Sequence, residues 1–202
     1  PACSRSTRDN RMTAPLWEPS PDRIASEPMT AFMRRAAEVS GRPIVDYAAL
    51  HRWSVEDRDA FWSLIWDFCG VIGEKGTRVL QDGAAMRGAR FFPDARLNFA
   101  ENLLRRRGSS DAIIFRGENK VARRWSWDEL AAMMSRIRQL FEAHGVKAGD
   151  RVAGMMPNMP EPVAAMLATE SLGAVWSSCS PDFGSQGVLD RFRQVGPVIF
   201  HA

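Results

Sequence analysis

Between Arg151 and Ser178 apolar residues stop alternating with polar ones and run together, as RVAGMM, then VAAMLATESL, then AVWSS. The first run is short and is closed by Pro157, which predicts a strand buried on both faces. Asn158 then offers a side-chain oxygen as a helix N-cap, with Glu161 three residues on as its capping-box partner. Pro160 and Pro162 fall in the first turn, where a missing N–H does least harm. The second run is apolar nearly all round, the mark of a helix enclosed by other elements. Gly173 ends it, and Ala174 to Ser178 reads as the next strand. Strand, helix and strand in about thirty residues make a right-handed βαβ unit with parallel strands. Pro181 to Val195 gives another helix, with Val188, Leu189, Phe192 and Val195 inward, and Val198 to Phe200 begins a further buried strand.

Upstream, the period changes from runs to helical stripes. Pro15 to Pro21 should be extended, because proline fixes its own φ and disfavours helix in the residue before it. Ser26 reads as the cap of a helix whose inner face carries Met29, Phe32, Met33, Ala36 and Val39 before Gly41. SVED from Ser54 reads as the start of a second helix, with Phe61, Trp62, Ile65, Trp66, Phe68 and Cys69 forming an aromatic stripe of core type. Gly73 to Gly88 is polar and loop-like. FFPDARLNFAENLL, residues 91–104, combines a proline turn with a short amphipathic helix carrying Leu97, Ala100, Leu103 and Leu104. Asp111–Arg116 and Val121–Trp125 read as paired strands around a turn at 117–119. SWDE, Ser126 to Glu129, is a capping box opening a helix that His144 and Gly145 close.

Together these patterns predict an α/β protein: a helical N-terminal region followed by βα units of a mainly parallel sheet. Residues 1–14 read as a disordered tag-like or upstream segment, 15–108 as the mostly helical region and 109–202 as the start of the α/β domain. The chain stops at Ala202 inside an apparent strand, which reads as a cut rather than a terminus.

Composition narrows the function classes. Of 202 residues, 45% are hydrophobic and 25% charged, an ordinary globular balance. No apolar run approaches the roughly eighteen residues that span a bilayer, and no signal-peptide core is present, so the expected place is the cytoplasm with no membrane partner. The net charge of +3 is small and dispersed, which argues against nucleic acid. Arg105 to Arg107 follow a helix end, where they cap the last carbonyls; phosphate contact is the alternative. Cys3, Cys69 and Cys179 lack disulfide or zinc spacing. His51, His144 and His201 lie in different segments, so no metal site is expected. Walker, GxGxxG, HExxH and GxSxG signatures are all missing, and no catalytic residue is assigned. The most suggestive piece is SSCSPDFGS, residues 177–185, small and polar at the C-terminal end of a parallel strand, where open α/β sheets bind ligands. A plain loop and helix start is the alternative reading.

HRWSVEDRDAFWSLIWDF, FFPDARLNFAENLL, WSWDEL and GVKAGDRVAGMMPNMPEPVAAMLATESLGAVWSSCSPDFG, in that order, resemble the amino-terminal part of acyl-CoA synthetases of the adenylate-forming superfamily, from about Leu16 onward. Within them the chain is most similar to the acetoacetyl-CoA synthetases. Acetyl-CoA synthetases carry a Gly-Gly-Phe step where this chain has Ser177, Ser178 and Cys179, and an Asn-Cys-Leu-Asp-Arg-His-like segment where it has ENLLRRR. The resemblance implies a full-length enzyme that activates acetoacetate with ATP and Mg to an acyl-adenylate and passes the acyl group to CoA. It implies that the phosphate loop, the magnesium-binding acid and the catalytic lysine lie downstream, so that this stretch alone is inactive and binds none of these cofactors tightly. It further implies that Trp176, Ser177 and Ser178 form one wall beside the CoA adenine, although Trp and Ser stand where the family has Phe and Gly. Two other readings remain: an acetyl- or propionyl-CoA synthetase, and a stand-alone non-catalytic domain binding CoA or a partner chain.

Overall fold

The computed structural model describes residues 17–118 and 120–202. The expectation for residues 1–14 and the thiol of Cys3 lie outside them. The chain divides into two compact units, one ending at Cys69 and one running from Gly70 to Ala202.

The first unit is helical. Ser20 caps α1 (Pro21–Ser26), accepting a hydrogen bond from the Arg23 amide, and Pro21 opens the helix with its φ already suited to it. Ser26 is therefore the last residue of α1 and not the cap expected for the next helix. Its hydroxyl donates back to the Arg23 carbonyl at 3.0 Å, and α2 (Pro28–Ser40) starts after Glu27 with no side-chain cap. Gly41 closes α2 at φ 65°, a left-handed position that glycine takes without strain. Ser54 does not start the helix expected from it: it lies inside α3 (Tyr47–Glu56), and the whole expected stripe falls on α4 (Arg58–Phe68) with Cys69 at its cap. Asp57 explains the break: its carboxylate accepts from the Ala60 amide at 3.2 Å and starts a new helix there, while Ser54 donates within α3 to the His51 carbonyl at 2.7 Å. Phe32, Ala36, Ile44, Leu50, Trp53 and Leu64 form the core of this unit. Phe32 meets Phe68 edge-on with ring centres 5.1 Å apart, and Trp53 meets Phe61 at 5.7 Å.

The second unit opens with the polar segment after Gly73, which holds two antiparallel two-residue strands, β1 (Leu80–Gln81) and β2 (Arg90–Phe91). A bidentate ion pair between Arg78 and Asp94 ties the segment together. Asn98 caps α5 (Phe99–Leu103) by accepting from the Glu101 amide at 3.1 Å, and its amide nitrogen donates to the Glu170 carbonyl at 2.9 Å. One side chain thus starts a helix and docks it. The expected hairpin is present as β3 (Asp111–Gly117) and β4 (Val121–Ser126), with a register shift between Asp111 and Ile113. Ser126 and Glu129 form a full capping box at the head of α6 (Trp127–Ala143).

The apolar runs become β5 (Arg151–Met155), α7 (Pro160–Ser171) and β6 (Val175–Cys179). A single turn of 3₁₀ helix, Pro181–Phe183, leads into α8 (Gly184–Val195), so the helix expected from Pro181 is broken where Gly184 takes φ 64°. The closing strand is β7 (Ile199–His201). All three strands are parallel in the order β6-β5-β7. Central β5 has Val152, Ala153 and Gly154 buried, as a strand covered on both faces requires. Ala164, Ala165, Leu167, Ala168 and Thr169 of α7 have no exposed surface. Thr169 satisfies its hydroxyl on the Ala165 carbonyl at 2.8 Å.

Asn158 does not cap α7. The flanking residue is Met159, which makes no side-chain cap bond, and Pro162 at the third position has no N–H to offer a cap. Glu161 turns instead to Arg123 of β4, accepting from Nη1 at 2.5 Å and Nη2 at 3.0 Å.

Candidate functional site

Parallel β5 and β6 put their C-terminal ends on one side of the sheet, at Met155 and Cys179, and an open α/β sheet takes ligands there. The chain leaves that edge through Ser180, whose hydroxyl donates to the Asp182 carboxylate at 2.8 Å and accepts from the Asp182 amide at 3.4 Å. Phe183 follows, with the Arg191 guanidinium 3.9 Å from its ring centre, a cation held over an aromatic face. The edge is therefore a small polar turn with one aromatic and one cation beside it.

The three residues singled out from the sequence share β6 but not one face. In a strand successive side chains point to opposite sides. Trp176 lies opposite Val152 and Ser178 opposite Gly154, whereas Ser177 between them lies opposite Ala153. Trp176 packs against the cluster of Phe141, Val146, Val152, Ala168 and Ala174. Its ring crosses the strand neighbour: a Cβ built on Gly154 would come within 2.5 Å of Trp176 Cη2. The indole is thus seated on backbone that only glycine leaves open. Ser178 is exposed and Ser177 half-buried. Trp176 is also the second residue of β6, three positions before its end. Ser178 and Ser180 are the serines nearest the edge.

Charge around the unit is organised by two glutamates on α7. Burial works against the Glu161 carboxylate, but hydrogen bonds from Arg123 prevail and hold its pKa below the usual range, while the same bond raises Arg123. Arg123 also lies over the Phe115 ring at 5.3 Å, so this pair pins the β3–β4 hairpin to the start of α7. Glu170 is shifted the other way: burial raises its pKa, and its Oε2 is buried with no hydrogen-bond partner among the described residues. Glu161 was read from the sequence as a capping-box partner, and its pairing with Arg123, 38 positions away, was not legible.

Arg105 and Arg107 do cap carbonyls. Arg107 donates to Leu104 and Arg106, and Arg105 to Gly70 at 3.0 Å. Among the described residues no group of three or more His, Cys, Asp or Glu could hold a metal ion. No helix among them is long and apolar enough to cross a membrane.

Comparison with known proteins gives this geometry a setting. Residues 100–201 match the family model described as AMP-binding enzyme, and residues 47–103 match the one described as acetyl-coenzyme A synthetase N-terminus. The chain is 59% identical over 186 residues to the acetoacetyl-coenzyme A synthetase of Rhizobium meliloti, covering 92% of this chain and 29% of that protein. It is 36% identical to the acetoacetyl-CoA synthetase of Macaca fascicularis, covering 90% of this chain and 27% of that one. The structure of acetoacetyl-CoA synthetase from Streptomyces lividans superposes with a TM-score of 0.84 at 43% identity, over 93% of this chain and 30% of that one. The chain spans less than a third of the length of each of these relatives.

Proposed function

Because the chain belongs to the AMP-binding enzyme family, we propose that it contributes to an acetoacetate–CoA ligase. In that reaction acetoacetate attacks the α-phosphate of ATP, giving acetoacetyl-adenylate and pyrophosphate. The CoA thiol then displaces AMP to form acetoacetyl-CoA. The observation that carries the proposal is the 59% identity, across 92% of the chain, to a relative named for that activity. On this reading residues 109–202 begin the AMP-binding α/β domain and 15–108 form the region before it.

The part we assign to this stretch is one wall of the CoA site, on β6. Ser178, exposed on the face it shares with Trp176, lets a ligand approach the backbone. Ser177 fills the opposite face. Trp176, seated over Gly154, positions the strand from within, and only the free edge of its indole is offered to a base. ATP and CoA are the ligands this family reading implies. No residue of the described stretch is assigned to the adenylation step.

The test is acetoacetate-dependent pyrophosphate release from ATP in the complete ligase, followed by thioester formation on adding CoA. A ligase that releases pyrophosphate with other acids but not with acetoacetate would overturn the substrate. The alternative reading, acetate or propionate as substrate, is the less supported one, since the relatives at 59%, 36% and 43% identity are all named for acetoacetate. Comparing the three acids in one assay separates them.

A further inference from the structure

Within the second unit, α5, α6 and the end of α7 line an open cleft of about 540 Å³, a volume within the roughly 300–1,000 Å³ usual for small-molecule sites. Its floor is apolar, formed by Ala100, Leu104 and Met134, and Ala100 and Leu104 are 1% and 3% exposed. Its rim is cationic. Three guanidiniums, Arg105, Arg107 and Arg138, face a single lining carboxylate, Glu101.

Arg107 and Arg138 are held, but not used up. Arg107 spends Nη1 on two carbonyls, and its Nε and Nη2 have no hydrogen bond among the described residues. Arg138 gives Nε and Nη2 to Glu142, at 3.2 and 3.0 Å, and leaves Nη1 over. Anchored guanidiniums lose little further freedom when they bind an oxyanion, and beside an apolar floor their attraction for one is less screened than in open water. Ser171 on the wall ends α7, the helix that runs back from the C-terminal end of β5 to the start of β6. The cleft therefore opens at the end of the sheet opposite Ser180.

We propose that this cleft binds an anionic amphiphile: a phosphate monoester or carboxylate on a short apolar chain, its head between Arg107 and Arg138 and its chain on Leu104 and Met134. The proposal does not rest on the ligase reading, since its cleft is built from α5, α6 and α7 and not from β6.

The experiment is a titration of the 202-residue chain with hexyl phosphate and with heptanoate, followed by methyl NMR and calorimetry, with hexanol and inorganic phosphate as controls. Saturable binding of either amphiphile is expected, with shifts at the Ala100, Leu104 and Met134 methyls, and the tighter of the two identifies the head group. Arg107→Gln with Arg138→Gln should raise its Kd by about tenfold or more, the equivalent of losing one charge-assisted hydrogen bond. Arg138→Gln alone, an exposed change, covers the case in which the double variant folds poorly and should raise Kd in the same direction. Hexanol should not saturate, and inorganic phosphate should bind more weakly than hexyl phosphate. Absence of saturable binding by both amphiphiles, binding unchanged by Arg138→Gln, or inorganic phosphate binding as tightly as hexyl phosphate would each overturn the proposal.

Discussion

At the second position of β6 a large ring fits only because its neighbour across the strand has no side chain. Gly154→Ala would bring a methyl within 2.5 Å of Trp176 Cη2, and such overpacking costs about 1–3 kcal/mol. Pairing it with Trp176→Leu should recover part of that loss, measured as denaturant midpoints of the single and double variants; strict additivity would show that the ring and the glycine do not share one space. Charge on α7 gives a second prediction at this scale. Glu161 has a lowered folded pKa, so its contribution is present above the ordinary glutamate pKa and lost as pH falls through the folded value. Glu170 has a raised one, so its carboxylate disfavours folding as pH rises through and above the ordinary glutamate value. Glu161→Gln should therefore destabilise at neutral pH with the difference closing in acid, and Glu170→Gln should stabilise at neutral pH. Thermal melts at pH 7 and pH 4 check both signs. Composition and periodicity could not reveal the roles of Gly154, Glu161 and Glu170, which depend on strand packing, on a partner far away in sequence and on burial respectively.

Helices and strands were legible where a local signal and the tertiary environment agreed. Ser126 and Glu129 form the capping box that SWDE announces, and Ser126→Ala should cost about 1 kcal/mol, readable in the same denaturant titration; a change near zero would mean that burial alone holds α6. The β5–α7–β6 unit was legible for the same reason, its apolar runs being long enough to need cover on all sides. Legibility failed where two caps competed. Ser54 has the expected pattern, but Asp57, nearer the next helix and able to accept from the Ala60 amide, divides α3 from α4. Asn158 has no capping role because α7 begins one residue later, after Met159, and Glu161, its expected box partner, pairs with Arg123. The two-residue strands β1 and β2 carry too few residues for any period to register.

For the whole molecule, the proposed CoA wall lies at the C-terminal edge of a small parallel sheet, where β5 and β6 end at Met155 and Cys179. The candidate site was legible as a segment, residues 177–185, because small polar residues after a buried strand are unusual. Its three-dimensional division was not: Trp176 turned inward over Gly154 and the serines took opposite faces. By itself the 202-residue chain should support no acetoacetate-dependent pyrophosphate release, since preorganised donors for the phosphoryl charge are what adenylation needs; release above a blank, in protein free of host synthetases, would contradict that. The most direct measurement is kcat/KM for acetoacetate, acetate and propionate in pyrophosphate release by the complete ligase. The account predicts that acetoacetate leads the other two; a preference for acetate or propionate would contradict it.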